Sequence, residues 1–182
     1  MTAYRELLIG CGSRSVKERF LEGRRDFYRL TRLDDNPAHQ PDVLWDLTRH
    51  PLPFPDDHFD EIHAYDVLEH LACQGDHRFF FAEFSEYWRI LKNGGHFFAS
   101  VPDRHSVWAW GDPSHKRIIT RENLVFLDQD EYHRQVGVTK MSDFRHIYRA
   151  HFKRVSMETD RELFYFTLRA VKTSPGGRRA AS

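Results

Sequence analysis

The chain has 182 residues, with 27 Lys/Arg balanced by 27 Asp/Glu, 40% hydrophobic residues and fifteen Phe. That length and apolar content suit one α/β domain with a sizeable buried core and exclude a collagenous or disordered chain, and the neutral total argues against a bulk-charge binder of nucleic acid. Cys11 and Cys73 are the only cysteines, which rules out a disulfide framework. No apolar run approaches the ~20 residues of a membrane-spanning helix and no signal-peptide pattern opens the chain, so a cytoplasmic protein is expected.

In chain order, Glu6 to Gly10 opens as a short apolar strand, Leu7-Leu8-Ile9, running into Gly10-Cys11-Gly12-Ser13. Ser15-Val16-Lys17-Glu18 has the form of a capping box and predicts a short helix with Val16 and Phe20 on one face. Phe27 to Leu33 reads as a second strand, ended by Asp34-Asp35-Asn36-Pro37. Asp42 to Leu47 is a third apolar run, followed by a proline-rich loop from Pro51 to Asp57.

Phe59 to Tyr65 makes a fourth strand that passes into Asp66-Val67-Leu68-Glu69-His70. Asp76 to Leu91 is the clearest helix: Phe80, Phe84, Trp88 and Leu91 recur at helical spacing, and Lys92-Asn93-Gly94-Gly95 supplies the stop. His96 to Val101 is a fifth strand, broken by Pro102. Residues 103–141 form an irregular insertion holding Trp108, Trp110 and Asp112-Pro113-Ser114-His115-Lys116-Arg117. A helix is expected around Ser142 to His151, then two strands, Phe152 to Glu158 and Leu163 to Val171, forming an antiparallel pair. The tail 173–182 is small, polar and basic and is expected to be disordered.

Alternating strands and helices with near-continuous apolar strands imply a Rossmann-like, largely parallel α/β sheet with helices on both faces and a C-terminal antiparallel strand pair, a single domain over residues 1–172. Ligands of such sheets sit at the carboxyl ends of the strands. Gly10-x-Gly12 lets the backbone turn tightly and approach a ligand closely. Asp34, twenty-two residues beyond Gly12, stands where an acid accepts hydrogen bonds from ribose hydroxyls. The third glycine of a dinucleotide fingerprint is replaced by Ser15, and no Walker-type lysine motif occurs. The pattern therefore fits an adenosine without a pyrophosphate, such as S-adenosylmethionine.

Seven segments in this order resemble the class I S-adenosylmethionine-dependent methyltransferases, in their methyltransferase type 11-like branch. They are Leu7 to Ser13, Leu33 to Pro37, Pro41 to Leu47, Leu52 to Ile62, Val67 to Leu71, Trp88 to Gly95 and Ser100 to Asp103. The resemblance implies that Gly10, Cys11 and Gly12 line the methionine and ribose side of the cofactor. Asp34 would hold the ribose hydroxyls, with Asp35 and Asn36 beside the adenine. Asp46 would accept from the adenine amino group, with Leu47 packed nearby, and Tyr65, Asp66 and Val67 would flank the methionine and the reacting methyl. Two positions depart from the family: Leu8 replaces a frequent acid before the glycine turn, and Ser13-Arg14-Ser15 replaces a further glycine.

Methyl transfer is an in-line displacement that depends chiefly on alignment, which can supply on the order of 7–11 kcal/mol. A general base is needed only if the acceptor loses a proton, and Asp66, His70 and His115 are the candidates. No His-Glu-x-x-His, paired Cys or tight His/carboxylate cluster stands out among the twelve histidines, so no metal is expected. The resemblance implies an unidentified methyl acceptor, read as a small molecule, lipid or saccharide at the 103–141 insertion. That insertion is too short for a DNA-reading domain, and the fourth strand lacks the Asn/Asp-Pro-Pro-Tyr/Phe signature of DNA amino methylation, ending in Ala64-Tyr65-Asp66-Val67. Leu8 and the altered turn leave open a non-catalytic binding or assembly module of the same fold. The oligomeric state has no signature in the sequence.

Overall fold

Seven strands form one sheet in the order β3-β2-β1-β4-β5-β7-β6. The computed structural model describes residues 3–14 and 16–172, and the expectation for the tail lies outside them. The strands are β1 (Glu6–Ile9), β2 (Leu30–Asp34), β3 (Val43–Leu44), β4 (Phe59–Tyr65), β5 (Leu91–Pro102), β6 (Phe152–Thr159) and β7 (Leu163–Ala170). Strands β1 to β5 pair in parallel, and β7 lies antiparallel to both β5 and β6. The sheet and its antiparallel edge are those the sequence implied. No helix of the described residues is long and apolar enough to cross a membrane.

The strongest helix, α1 (His77–Ile90), begins where Asp76 accepts a hydrogen bond from the Phe79 N–H at 3.0 Å. It buries Phe81, Phe84, Tyr87 and Ile90, a stripe one residue out of phase with the expected Phe80 and Trp88. Strand β5 starts directly at Leu91, so Lys92 to Gly95 belongs to the strand's irregular beginning. The insertion holds three short helices, α2 (Val107–Gly111), α3 (Arg121–Val125) and α4 (Gln129–Gln135). Alternation along the strands sends Leu7, Ile9, Ile62, Ala64, Phe97 and Phe166 into one core with α1 and α3. Burying this core is the main drive to fold, at about 25 cal/mol per Å² of apolar surface.

Two expected helices do not form. The described residues between β1 and β2 are irregular, with Val16 68% and Phe20 39% exposed. Lys17 explains this: its ammonium is drawn into the opposite face of the sheet, 2.8 Å from both Glu6 and Glu61. A helix amphipathic about Val16 and Phe20 would bury those side chains instead. The region 142–151 is likewise a set of turns, fixed by Tyr132, whose hydroxyl donates to the Ser142 carbonyl and accepts from the Phe144 N–H.

Candidate functional site

The carboxyl ends of β1, β2, β3 and β4 border a cleft of about 670 Å³, within the size range of small-molecule sites. Gly10 (φ +56°) turns the chain out of β1, and a Cβ at this position would stand 2.2 Å from Cγ2 of Val67. Glycine is therefore required here by both conformation and space. Gly12 also has positive φ, and a Cβ there would meet nothing within 4 Å, so its backbone faces open space. Asp66 leaves β4 with a φ of 53°, a strained conformation for a residue with a side chain.

Asp34 ends β2, nearly buried, with one carboxylate oxygen accepting from Gly12 N–H at 2.8 Å and the other from Asn36 N–H at 2.9 Å. Burial acts to raise its pKa, but these two bonds and His39 at 3.1 Å together hold it below the usual carboxylate range. The carboxylate stays ionised, and Oδ2, with Gly12 N–H alone on it, keeps a lone pair for a ligand hydroxyl. Asp46 is held below its ordinary pKa mainly by the hydroxyl and backbone N–H of Thr48. Asp66 carries Arg14 at 3.0 Å and the Ser100 hydroxyl at 3.2 Å.

Of the residues singled out from the sequence, Gly10, Gly12, Asp34, Asp35, Asp46, Leu47, Asp66, Val67 and His70 border this one cleft. Three others point elsewhere. The Tyr65 side chain lies on the opposite face, its hydroxyl 2.8 Å from His63 Nδ1. Cys11 is buried with Leu8, Tyr65 and Phe98. Asn36 is exposed and caps the turn Pro37–His39 through the Ala38 N–H. His39, Thr48, Ser114 and Lys116 add further polar groups to the cleft, beside Leu71 and Pro113. Sequence reasoning passed over them because polar residues in loops carry no periodicity.

His115 stands behind the cleft wall, brought there by backbone pairing. Lys116 N–H and Arg117 N–H donate to the Glu69 carbonyl at 2.8 and 3.3 Å, docking residues 112–117 on the 3₁₀ turn Leu68–His70. The His70 and His115 rings then meet edge to face, 4.7 Å between centroids. The Glu69 carboxyl is 2% exposed, and burial pushes its pKa up to about 8. Trp108 and Trp110 project from α2, 60% and 75% exposed.

A model of the methyltransferase domain family matches residues 7–99, just over half of the 182 residues. No curated protein matches the sequence significantly. The fold is similar to that of a S-adenosylmethionine-dependent methyltransferase from Archaeoglobus fulgidus, at a TM-score of 0.54 and 14% identity over 91% of this chain and 86% of the other. It is also similar to the methyltransferase bound to the Haloferax volcanii Trm112 activator, at 0.56 and 15% over 93% and 83%. The N-methyltransferase NodS from Bradyrhizobium japonicum, in complex with S-adenosylhomocysteine, aligns at 0.54 and 15% over 93% and 79%. At these identities the likeness is one of fold. The chain belongs to the methyltransferase domain family and carries the class I fold.

Proposed function

We propose that the chain binds S-adenosylmethionine in the cleft at the strand ends and directs its methyl group to a small-molecule, lipid or saccharide acceptor. The observation that carries this reading is the convergence of Gly10, Gly12, Asp34, Asp46 and Asp66 from four strand ends on one cleft of suitable volume. Asp34 would take the ribose hydroxyls, Asp46 the adenine amino group beside Leu47, and the open backbone at Gly12 the methionine side. The Gly10–Val67 contact shapes the floor. The donor supplies a sulfonium-bound methyl, and the protein's contribution is alignment.

Asp66 is the carboxylate best placed to receive an acceptor proton, since it faces the cleft beside the end of β4, and His70 lines the same wall. His115 would act through its contact with His70. The exposed Trp108 and Trp110 offer flat apolar surfaces to a sugar or other ring. Titration with S-adenosylmethionine, S-adenosylhomocysteine and NAD checks the cofactor, and tight NAD binding without S-adenosylmethionine binding would overturn it. Asp34→Ala should weaken cofactor binding at least tenfold by removing charge-assisted hydrogen bonds. Unchanged affinity would make Asp34 a turn residue only. Labelled methyl donor offered to metabolite, lipid and saccharide pools then identifies the acceptor.

A second reading, a non-catalytic binding or assembly module, draws on one observation. Arg14 bridges Asp66 and Glu18 where the methionine end of the donor would lie. Cofactor binding with no transfer to any pool, in the wild type and in Arg14→Ala alike, would favour that reading.

A further inference from the structure

Glu69-His70 and Asp112-x-x-His115 lie far apart in the sequence, and the fold joins them. One ligand atom from each of Glu69, His70 and His115 lies within 4.8 Å of the others. His115 Nε2 stands 4.0 Å from Glu69 Oε1 and 3.9 Å from Asp112 Oδ2, too far for hydrogen bonds. Donors on a tetrahedral zinc ion, at bonds of about 2.0–2.1 Å, stand about 3.3 Å apart. The three ligand atoms need to close by up to about 1.5 Å to reach that spacing.

Two further features make this more than proximity. The Glu69 carboxyl is 2% exposed, yet neither of its oxygens has a hydrogen-bond partner among the described residues. The nearby Arg117 gives its Nε to the Leu68 carbonyl and its Nη2 to Glu83, and its buried Nη1 makes no hydrogen bond to Glu69 or to any other described residue. A buried carboxyl group without a partner forfeits its solvation with nothing in return, and a cation would offset that loss. Both imidazoles are also preset as ligands. His115 Nδ1 donates to the Trp108 carbonyl at 2.9 Å, which leaves Nε2 with the lone pair. The Ser114 hydroxyl spends its proton on Asp112 Oδ1 at 2.6 Å and therefore accepts from His70 Nδ1 at 3.1 Å. Outer partners of this kind, a carbonyl and a relayed carboxylate, orient metal-binding histidines.

We propose that Glu69, His70 and His115 bind a divalent transition-metal cation of the zinc class, which fastens residues 112–117 to the Leu68–His70 turn at the wall of the cleft. This revises the expectation of no metal. It stands independently of cofactor binding, because the ligand set includes none of the cofactor positions, and it gives His70 and His115 a structural role in place of proton transfer. The other open cluster of this kind, Asp128, Asp130 and His151, lacks an orphaned carboxylate: Lys153 reaches both aspartates, at 3.1 and 2.6 Å.

The full chain, stripped with chelator and dialysed, is titrated with Zn²⁺ by calorimetry and with Co²⁺ by visible absorption. One cation per chain with an intense tetrahedral Co²⁺ band is expected. His70→Ala, His115→Ala and Glu69→Gln should each weaken binding at least tenfold, and Ser114→Ala, which touches no metal, about tenfold through His70. His151→Ala should leave it unchanged. Circular dichroism of each metal-free variant separates loss of a ligand from loss of fold. Absence of stoichiometric binding, or binding that survives in folded His70→Ala and His115→Ala but is lost in His151→Ala, overturns the proposal. Failure of S-adenosylmethionine to bind while Zn²⁺ still binds would overturn the cofactor reading alone.

Discussion

On one face of the sheet, Leu7, Ile9, Ile62, Ala64 and Phe97 meet Phe81, Phe84 and Tyr87 of α1 in an apolar contact. On the other face, two of those strands, β1 and β4, present Glu6, Glu61, His63 and Tyr65, and what covers them is the irregular segment after β1. That segment is held by named polar contacts. Lys17 sits between Glu6 and Glu61, Tyr4 donates to Glu61, and His63 Nε2 lies 3.0 Å from Glu61. The Tyr65 hydroxyl accepts from Arg19 N–H at 3.1 Å and lies 2.8 Å from His63 Nδ1 and 3.1 Å from the Arg19 C=O. The apolar face needs only shape and volume, whereas the polar face needs each partner in place, because every buried charge has lost its water. Burial acts to raise the Glu61 pKa, but its donors His63, Lys17 and Tyr4 bring it down to about 2.

This contrast can be broken from either side. Phe84→Ala should cost about 3–5 kcal/mol in chemical denaturation, through lost burial and a residual cavity. The loss should be equal at pH 5 and pH 8, since no charge is involved. Lys17→Met should cost about 3 kcal/mol at pH 8, because two carboxylates are left buried without a cation. Those carboxyls bind protons more readily in the folded variant than in the unfolded chain, so its deficit should shrink toward pH 5. A deficit independent of pH would show that Lys17 contributes packing alone.

A smaller effect should appear in the wild type. Burial holds His63 and His96, both on the polar face, below the ordinary imidazole pKa. Below about pH 6.5 the unfolded chain therefore binds more protons than the folded one, and stability falls as pH falls. The thermal midpoint should drop by a few degrees between pH 7.5 and pH 5.5, and His96→Phe should flatten part of that slope. The smallest change is expected for Arg19→Ala, whose guanidinium lies 3.8 Å over the Tyr165 ring and 3.5 Å from Glu158 at the sheet's edge. It should lose under about 1 kcal/mol, and less in high salt, as partly exposed pairs do.

The same contrast explains what the sequence made legible. The bounds of β4 follow from its apolar residues and its flanking acids, and the cap at Asp76 marks the start of α1. The phase of α1 was hidden because Phe79, Phe80 and Phe81 run together, and because buried Glu83 is paired with Arg117, thirty-four positions away. The helix expected over Val16 to Phe20 failed for a like reason: its local pattern yielded to two carboxylates, one on β1 and one on β4. At the cleft, residues at strand ends, such as Gly10, Asp34, Asp46 and Asp66, were readable because the fold class places them there. Ser114 was not, since its place there depends on a loop folding back over forty residues of chain to reach His70.

The Lys17 contact also constrains alignment. Glu6 and Glu61 are direct register partners in the parallel pairing of β1 with β4, so the native alignment sets two carboxylates side by side. Shifting β4 by one residue would turn Glu61 toward Phe84 and Ile9 and expose Ile62 to the charged side. Only the correct alignment lets one ammonium reach both acids at 2.8 Å. The polar face thus acts as a proofreading key for the strand pair whose ends carry Gly10, Asp66 and Val67, and any slip there would carry the cleft out of shape.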